Sequence, residues 1–217
     1  MSDQQLIEKT AAYVQSELQN AEGGHDWFHI ERVWKNAKAI AAGENVNMLV
    51  VELSALLHDI ADSKFHKGDE ELGPLKARDF LQRNGVEEKI IFEVEQIIRH
   101  ISFKGGKEQR TYFSPELAVV QDADRLDAIG AIGIARAFNY GGYKGRELYN
   151  PAVKPNLNMS KEEYKNSAAP TLNHFYEKLL LLKDRMNTET GKKIAEARHS
   201  FMEDYLTQFY KEWNGIG

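Results

Sequence analysis

The chain has 217 residues, enough for one large domain or two small ones. It contains no cysteine, which excludes disulfides and thiolate metal sites and makes a reducing cytoplasm the expected setting. Its 28 Lys and Arg against 33 Asp and Glu leave a net charge of -5, which argues against a non-specific binder of polymeric nucleic acid, although phosphates can be held where cations gather locally.

The opening stretch MSDQQLIEKTAAYVQSEL carries acids early and lacks the apolar centre of a signal peptide. No apolar run approaches the length needed to span a bilayer, so no membrane partner is expected. From Asp26 onward, Ile30, Val33, Trp34, Ala37, Ile40 and Ala41 recur at helical steps. Leu49, Val50, Leu53, Leu56, Leu57 and Ile60 do the same, as do Ile90, Ile91, Val94, Ile97, Ile98 and Ile101. Ser114 followed by Pro115 marks another helix start, with the apolar pattern running to about Phe138 and stopping before Gly141 and Gly142, which read as a turn. A long polar loop follows, and two more helices are expected at roughly Pro170–Met186 and Glu189–Trp213. No strand alternation and no repeat occurs. Trp27, Trp34 and the C-terminal aromatics read as core, with Tyr140, Tyr143 and Tyr149 as possible stacking faces for a base.

The polar residues on these helices are spaced for chemistry. His25 and His29 are four apart, so they share a helical side, and Arg32 follows. His58 and Asp62 are also four apart, with Asp59 between them. The stretch VVQDADRLDAIGAIGIAR adds Asp122, Asp124 and Asp127. Imidazole nitrogens with carboxylate oxygens form a ligand set for a divalent transition metal. A lone His-Asp pair would read as ordinary surface polarity; three such groups on three amphipathic helices are harder to dismiss.

GHDWFHIERVWKNA, LLHDIADSKF and DADRLDAIG resemble the three parts of the signature of the HD-domain superfamily of metal-dependent phosphohydrolases. NYGGYKGRELY and the stretch from Asn173 to Met202 resemble a bacterial subgroup that includes nucleotide pyrophosphohydrolases. The resemblance implies an all-α HD-domain helical bundle, a single domain over 1–217, with residues 1–140 as the core carrying the metal site. Residues 141–217 form the long loop and two C-terminal helices packed on it.

Carried over by position, the resemblance makes His29, His58, Asp59 and Asp124 the ligands of one divalent ion, Mn2+ first, with Co2+, Ni2+, Fe2+, Mg2+ and Zn2+ as alternatives. Asp122 and Asp124 point roughly 200° apart on a helix and cannot both face one metal; the family's last ligand precedes a basic or small residue and then leucine, as Asp124 does. Asp122 is then a helix-terminal or ligand-bracing group, and Asp127 is placed to brace a ligand.

Asp62 matches an acidic position that handles the attacking water. His25, Lys64, His100, Lys104 and Arg125 are candidate substrate contacts. His174 and Lys178 read as packing or surface groups, and Lys144 and Arg146 as solvated cations. The implied reaction is hydrolysis of a nucleoside triphosphate to monophosphate and pyrophosphate. The alternatives are a 5'-nucleotidase-type phosphomonoesterase and a nucleotide-sensing HD module without turnover. The expected partner is a small phosphorylated substrate, a nucleotide; a homodimer stays open.

Overall fold

A computed structural model describes residues 1–19, 26–61, 69, 71–101, 112–160, 163 and 166–216. Among the described residues there are nine α-helices and no strand: α1 Asp3–Glu17, α2 Trp27–Ala41, α3 Met48–Leu57, α4 Leu72–Arg83, α5 Glu88–Ile101, α6 Pro115–Asp127, α7 Gly130–Tyr143, α8 Asn173–Glu177 and α9 Glu189–Trp213. No described helix is long and apolar enough to cross a membrane. The chain forms two compact units, Met1–Asp124 and Arg125–Gly217.

In the first unit α3 is central. Val50, Val51, Leu53, Ser54, Ala55, Leu56 and Leu57 are all buried, so most of this helix's surface must be covered by its neighbours. It packs against α1, α2 and α5, and α4 packs on α5. The Asn47 side chain starts α3 by accepting from the Leu49 and Val50 N–H groups at 3.1 and 3.3 Å. Truncating Leu53, Leu56 or Leu57, each fully buried, to Ala should cost about 2–5 kcal/mol. Arg78 binds Glu88 and Glu95, and Arg99 binds Glu71 and Glu95, so the buried Glu95 carboxylate sits between two guanidiniums that tie α4 to α5. The apolar face expected for α2 is observed in Ile30, Val33, Ala37, Ile40 and Ala41. Its two tryptophans, expected in the core, are only half-buried; Trp34 Nε1 donates to Glu52 Oε2 at 2.8 Å, a bond that a wholly apolar setting would deny it.

The second unit departs from the sequence expectation in three places. The helix expected from Ser114 to Phe138 is two helices, broken at Ala128 and Ile129. Gly130 opens α7 with φ +74, in the left-handed region, and a side chain there would meet Arg198. The chain then folds so tightly that a Cβ on Gly133 would lie 2.2 Å from the Ala128 carbonyl oxygen. Next, α7 runs on through Gly141 and Gly142 to Tyr143. Gly141 serves close approach here, since a Cβ would lie 2.0 Å from Thr171 Oγ1. Finally, the helix expected over Pro170–Met186 is α only at Asn173–Glu177, followed by 3-10 turns at Leu179–Leu181 and Lys183–Arg185. Three residues per turn place Leu179 and Leu182 on one side, and both are buried while Leu181 is not.

The long loop after α7 is tied down by its own hydrogen bonds. Thr171 and Leu172 N–H donate to the Glu147 and Leu148 carbonyls at 2.8 and 3.0 Å, and Asn173 Nδ2 donates to Val153 O at 3.1 Å. The ring of Tyr149 packs edge-on against Phe209, Tyr210 and Trp213, at centroid distances of 6.0, 5.4 and 5.0 Å, so it is a packing group.

Candidate metal centre

His29 enters the site in the first turn of α2. Asp26 caps that helix, its Oδ1 accepting from the His29 N–H at 2.9 Å, and this fixes where the imidazole leaves the backbone. The His29 side chain is almost fully buried. His58 follows the last residue of α3, which ends at Leu57; the Ile60 N–H then bonds the Leu57 carbonyl, so His58 and Asp59 occupy a tight turn.

The His58 ring is oriented by its own helix. Nδ1 lies 2.9 Å from the Ala55 carbonyl oxygen, which can only accept, so Nδ1 carries the proton. In the neutral ring Nε2 then keeps its lone pair, and it is buried with no hydrogen-bond partner. A buried, unsatisfied acceptor costs free energy unless something occupies it.

Asp59 Oδ2 lies 3.6 Å from His29 Nε2 and 3.7 Å from His58 Nε2. One ligand atom from each of the three residues lies within 4.8 Å of the others. Donors at about 2.1 Å from a common ion lie roughly 3 to 4.2 Å apart, so these spacings suit a single cation. Asp124, at the end of the first unit on α6, brings Oδ1 to 3.6 Å from His29 Nε2; its side chain is 41% exposed. Two imidazole nitrogens and carboxylate oxygens, with no thiolate in the chain, fit a divalent ion such as Mn2+, Fe2+, Co2+, Ni2+, Zn2+ or Mg2+. The orphaned His58 nitrogen is the observation that favours a ligand over a purely structural cluster.

The other singled-out residues fall into three groups. His25, Asp62, Lys64 and Lys104 lie outside the described residues. His100 is half-buried, its Nδ1 donating to Gln96 O at 2.8 Å and its ring 5.6 Å from that of Tyr112. Arg125 is buried in the second unit, where Nη1 donates to Arg185 O at 2.7 Å.

Asp122 is fully buried inside α6, which corrects its reading as a helix-terminal group: the helix continues to Asp127. Asp127 is also buried and is bound by Arg136. Lys144 lies over the rings of Tyr140 and Tyr143 at 5.6 and 5.2 Å, and the Arg146 guanidinium lies 5.7 Å from the Tyr140 centroid. His174 is held well below the ordinary imidazole value, at about 3, chiefly by burial and then by the cations of Lys178 and Arg146, so it is neutral at physiological pH.

Two ties went unread in the sequence. Trp34 on α2 binds Glu52 on α3, and Asn36 Nδ2 on α2 donates to the Ala123 carbonyl on α6 at 3.3 Å. The available signal was phase: Asn36 lies seven residues after His29, two helical turns along the same face.

Residues 27–129 match the HD domain. A curated Bacillus subtilis (strain 168) protein, YpgQ, is 39% identical over all 217 residues, with 98% of its own length covered. A crystal structure described as an HD-superfamily hydrolase from Bacillus thuringiensis superposes with a TM-score of 0.79 at 45% identity, covering 98% of this chain and 99% of that one. The crystal structure of B. subtilis YpgQ in complex with ADP superposes with a TM-score of 0.78 at 36% identity, covering 98% and 97%. The HD match spans α2 to α6, the segment that delivers both histidines and both aspartates, and the likeness to these relatives runs the length of the chain. The chain belongs to the HD-domain superfamily of hydrolases.

Proposed function

We propose that this HD-superfamily phosphohydrolase cleaves nucleoside triphosphates to monophosphate and pyrophosphate. The ligand cluster supports metal-dependent hydrolysis, and the observation that carries the nucleotide reading is the ADP complex of the B. subtilis relative. A ligand with base, sugar and a phosphoanhydride tail favours a nucleotide substrate over a simple phosphomonoester.

In this reading His29, His58, Asp59 and Asp124 hold one divalent ion, Mn2+ by preference. When bound, that ion supplies Lewis acidity at phosphorus and lowers the pKa of water. Asp62 orients the attacking water and takes its proton as the new P–O bond forms at the α-phosphorus. The bond from that phosphorus to the bridging oxygen breaks, and its electron pair leaves with pyrophosphate. Lys64, Lys104 and Arg125 are candidate contacts for phosphate oxygens. His25 and His100 are candidate donors to the leaving oxygen. His58, whose Nδ1 is committed to Ala55, keeps its ring in one orientation throughout.

A panel of ribo- and deoxynucleoside tri-, di- and monophosphates, assayed with Mn2+, Co2+, Ni2+, Mg2+ and Zn2+, tests the proposal. The expected products from a triphosphate are the monophosphate and pyrophosphate in equal amounts. Release of inorganic phosphate alone from monophosphates would replace it with the phosphomonoesterase reading. Binding without turnover for every nucleotide and metal would make the protein a sensor.

A further inference from the structure

The four ligands are not held alike. His29 and His58 are buried, and His58 is locked by the Ala55 carbonyl. The Asp59 side chain is 16% exposed. Asp124 is 41% exposed, and among the described residues its recorded polar neighbour is His29. A side chain this open is held less by packing than the other three, so its position depends more on the backbone of α6.

That backbone is tied to α2 at Asn36. Asn36 Nδ2 donates to the carbonyl of Ala123, the residue immediately before Asp124. A mid-helix carbonyl has a second lone pair, so it can accept this bond without losing its helical one. His29 and Asn36 thus reach consecutive residues of α6 from points two turns apart on one face of α2. The second contact, two turns along α2, limits rotation and sliding of α6 about the first, beside the Asn47 N–H bond to Glu116 Oε1 nearer the start of α6. Asparagine is among the weaker helix formers, so propensity does not explain its place in the middle of α2.

We propose that Asn36 is a positioning residue of the metal centre: by holding the Ala123 carbonyl it sets the rotation of α6 against α2 and, with it, the place of Asp124 opposite His29. This rests on the metal-centre reading above. A merely structural Asn36 would contribute stability and leave the site unchanged.

The test is Mn2+ affinity by titration calorimetry, with melting temperature read in parallel, for wild type, Asn36→Asp, Asn36→Ala and Asn36→Gln. Asn36→Asp keeps the shape and removes the donor. Asn36→Ala removes both and carries the test if a carboxylate facing the carbonyl prevents folding. Ile97→Val, a small trimming of the fully buried Ile97 on α5, is the control for lost stability alone. Loss of the donor should weaken Mn2+ binding about tenfold, the low end for a group that orients a metal ligand. Asn36→Gln, which restores a donor, should recover part of the loss, and Ile97→Val should bind as wild type does. Mn2+ affinity equal to wild type in a folded Asn36→Asp or Asn36→Ala chain overturns the proposal. A wild-type chain that takes up no divalent ion overturns the metal reading itself.

Discussion

Two buried polar clusters, one in each unit, are completed differently. In the second, the buried Asp127 carboxylate is met by the Arg136 guanidinium, Arg136 also donates to the Asp127 carbonyl, and Arg198 donates to the Leu126 carbonyl. The last carbonyls of α6 and its acidic end are thus answered by cations from α7 and α9, as the helix dipole favours. In the first, two imidazoles and a carboxylate converge within a few ångströms, and His58 Nε2 ends without a hydrogen-bond partner. In the second unit the buried carboxylate already has its cation, although His199 Nδ1 is buried there without a hydrogen-bond partner. The first unit's cluster is arranged around a point where a cation fits, which is the pattern of a site as opposed to a structural ion pair.

The largest expected effect is on turnover in the first unit. Asp62→Asn removes the basic oxygen and keeps the size, so kcat should fall by about two to four orders of magnitude. On the proposed mechanism Asp62 lies outside the ligand set and acts mainly in the transition state, so metal content and KM should change little. Metal lost together with activity would make Asp62 a fifth ligand, and turnover near wild type would remove it from the chemistry.

Arg136→Ala should break the second unit's internal pairing. Removing the guanidinium from the buried Asp127 should lower unfolding free energy by about 3–5 kcal/mol, read from the denaturant midpoint. Adding Asp127→Asn should cost much less than the sum of the two single changes. A double-variant loss equal to the sum of the two single losses would show that the pair is not coupled.

Arg125→Ala probes a group assigned both to phosphate and to the Arg185 carbonyl. Its Nη1 donates to the Arg185 carbonyl at 2.7 Å, so the variant also removes a tie within the second unit. KM for a nucleoside triphosphate should rise about tenfold, the loss of one charge-assisted bond. An unchanged KM with a lowered melting temperature would leave Arg125 as an anchor of the second unit alone.

The smallest effect, taken per pH unit, is a pH dependence of stability. His174 titrates near 3 when folded and at about 6.5 when unfolded, so the unfolded chain binds more protons in between. Stability from this group is therefore complete above pH 6.5 and is lost as pH falls toward 3, at about 1 kcal/mol per pH unit. His174→Gln should flatten the slope of unfolding free energy between pH 6.5 and 4. An identical slope in the variant would contradict the burial of a neutral imidazole there.

What could be read from the sequence was what repeats or lies close along the chain. The apolar phase of α2, α3 and α5 places His29 and His58 at the ends of amphipathic or buried helices, and the local spacing of His58 and Asp59 is visible by eye. What could not be read depends on distant partners. The break before α7 needs Gly130 in the left-handed region beside Arg198, yet the apolar residues on either side keep helical phase across it. Gly141 reads as a turn until Thr171 is known to lie against it. The half-burial of Trp34 follows from Glu52, eighteen positions away, and the Asn36 tie ends on a backbone carbonyl, which has no side-chain signature. Asp122 reads as helix-terminal or ligand-bracing in the sequence; its full burial inside α6 is a fact of packing.

The central claim is that the first unit's cluster is a metal centre. Elemental analysis of the purified wild-type protein and of Asp59→Ala, prepared together in Mn2+-containing medium, tests it most directly. Among the described residues Asp59 is the carboxylate that lies within 3.7 Å of both histidine nitrogens, so its loss removes the anion that the two imidazoles share. The expected result is about one equivalent of divalent metal per wild-type chain and a small fraction of that in the variant, with both proteins folded. Equal metal content in the two would contradict the account.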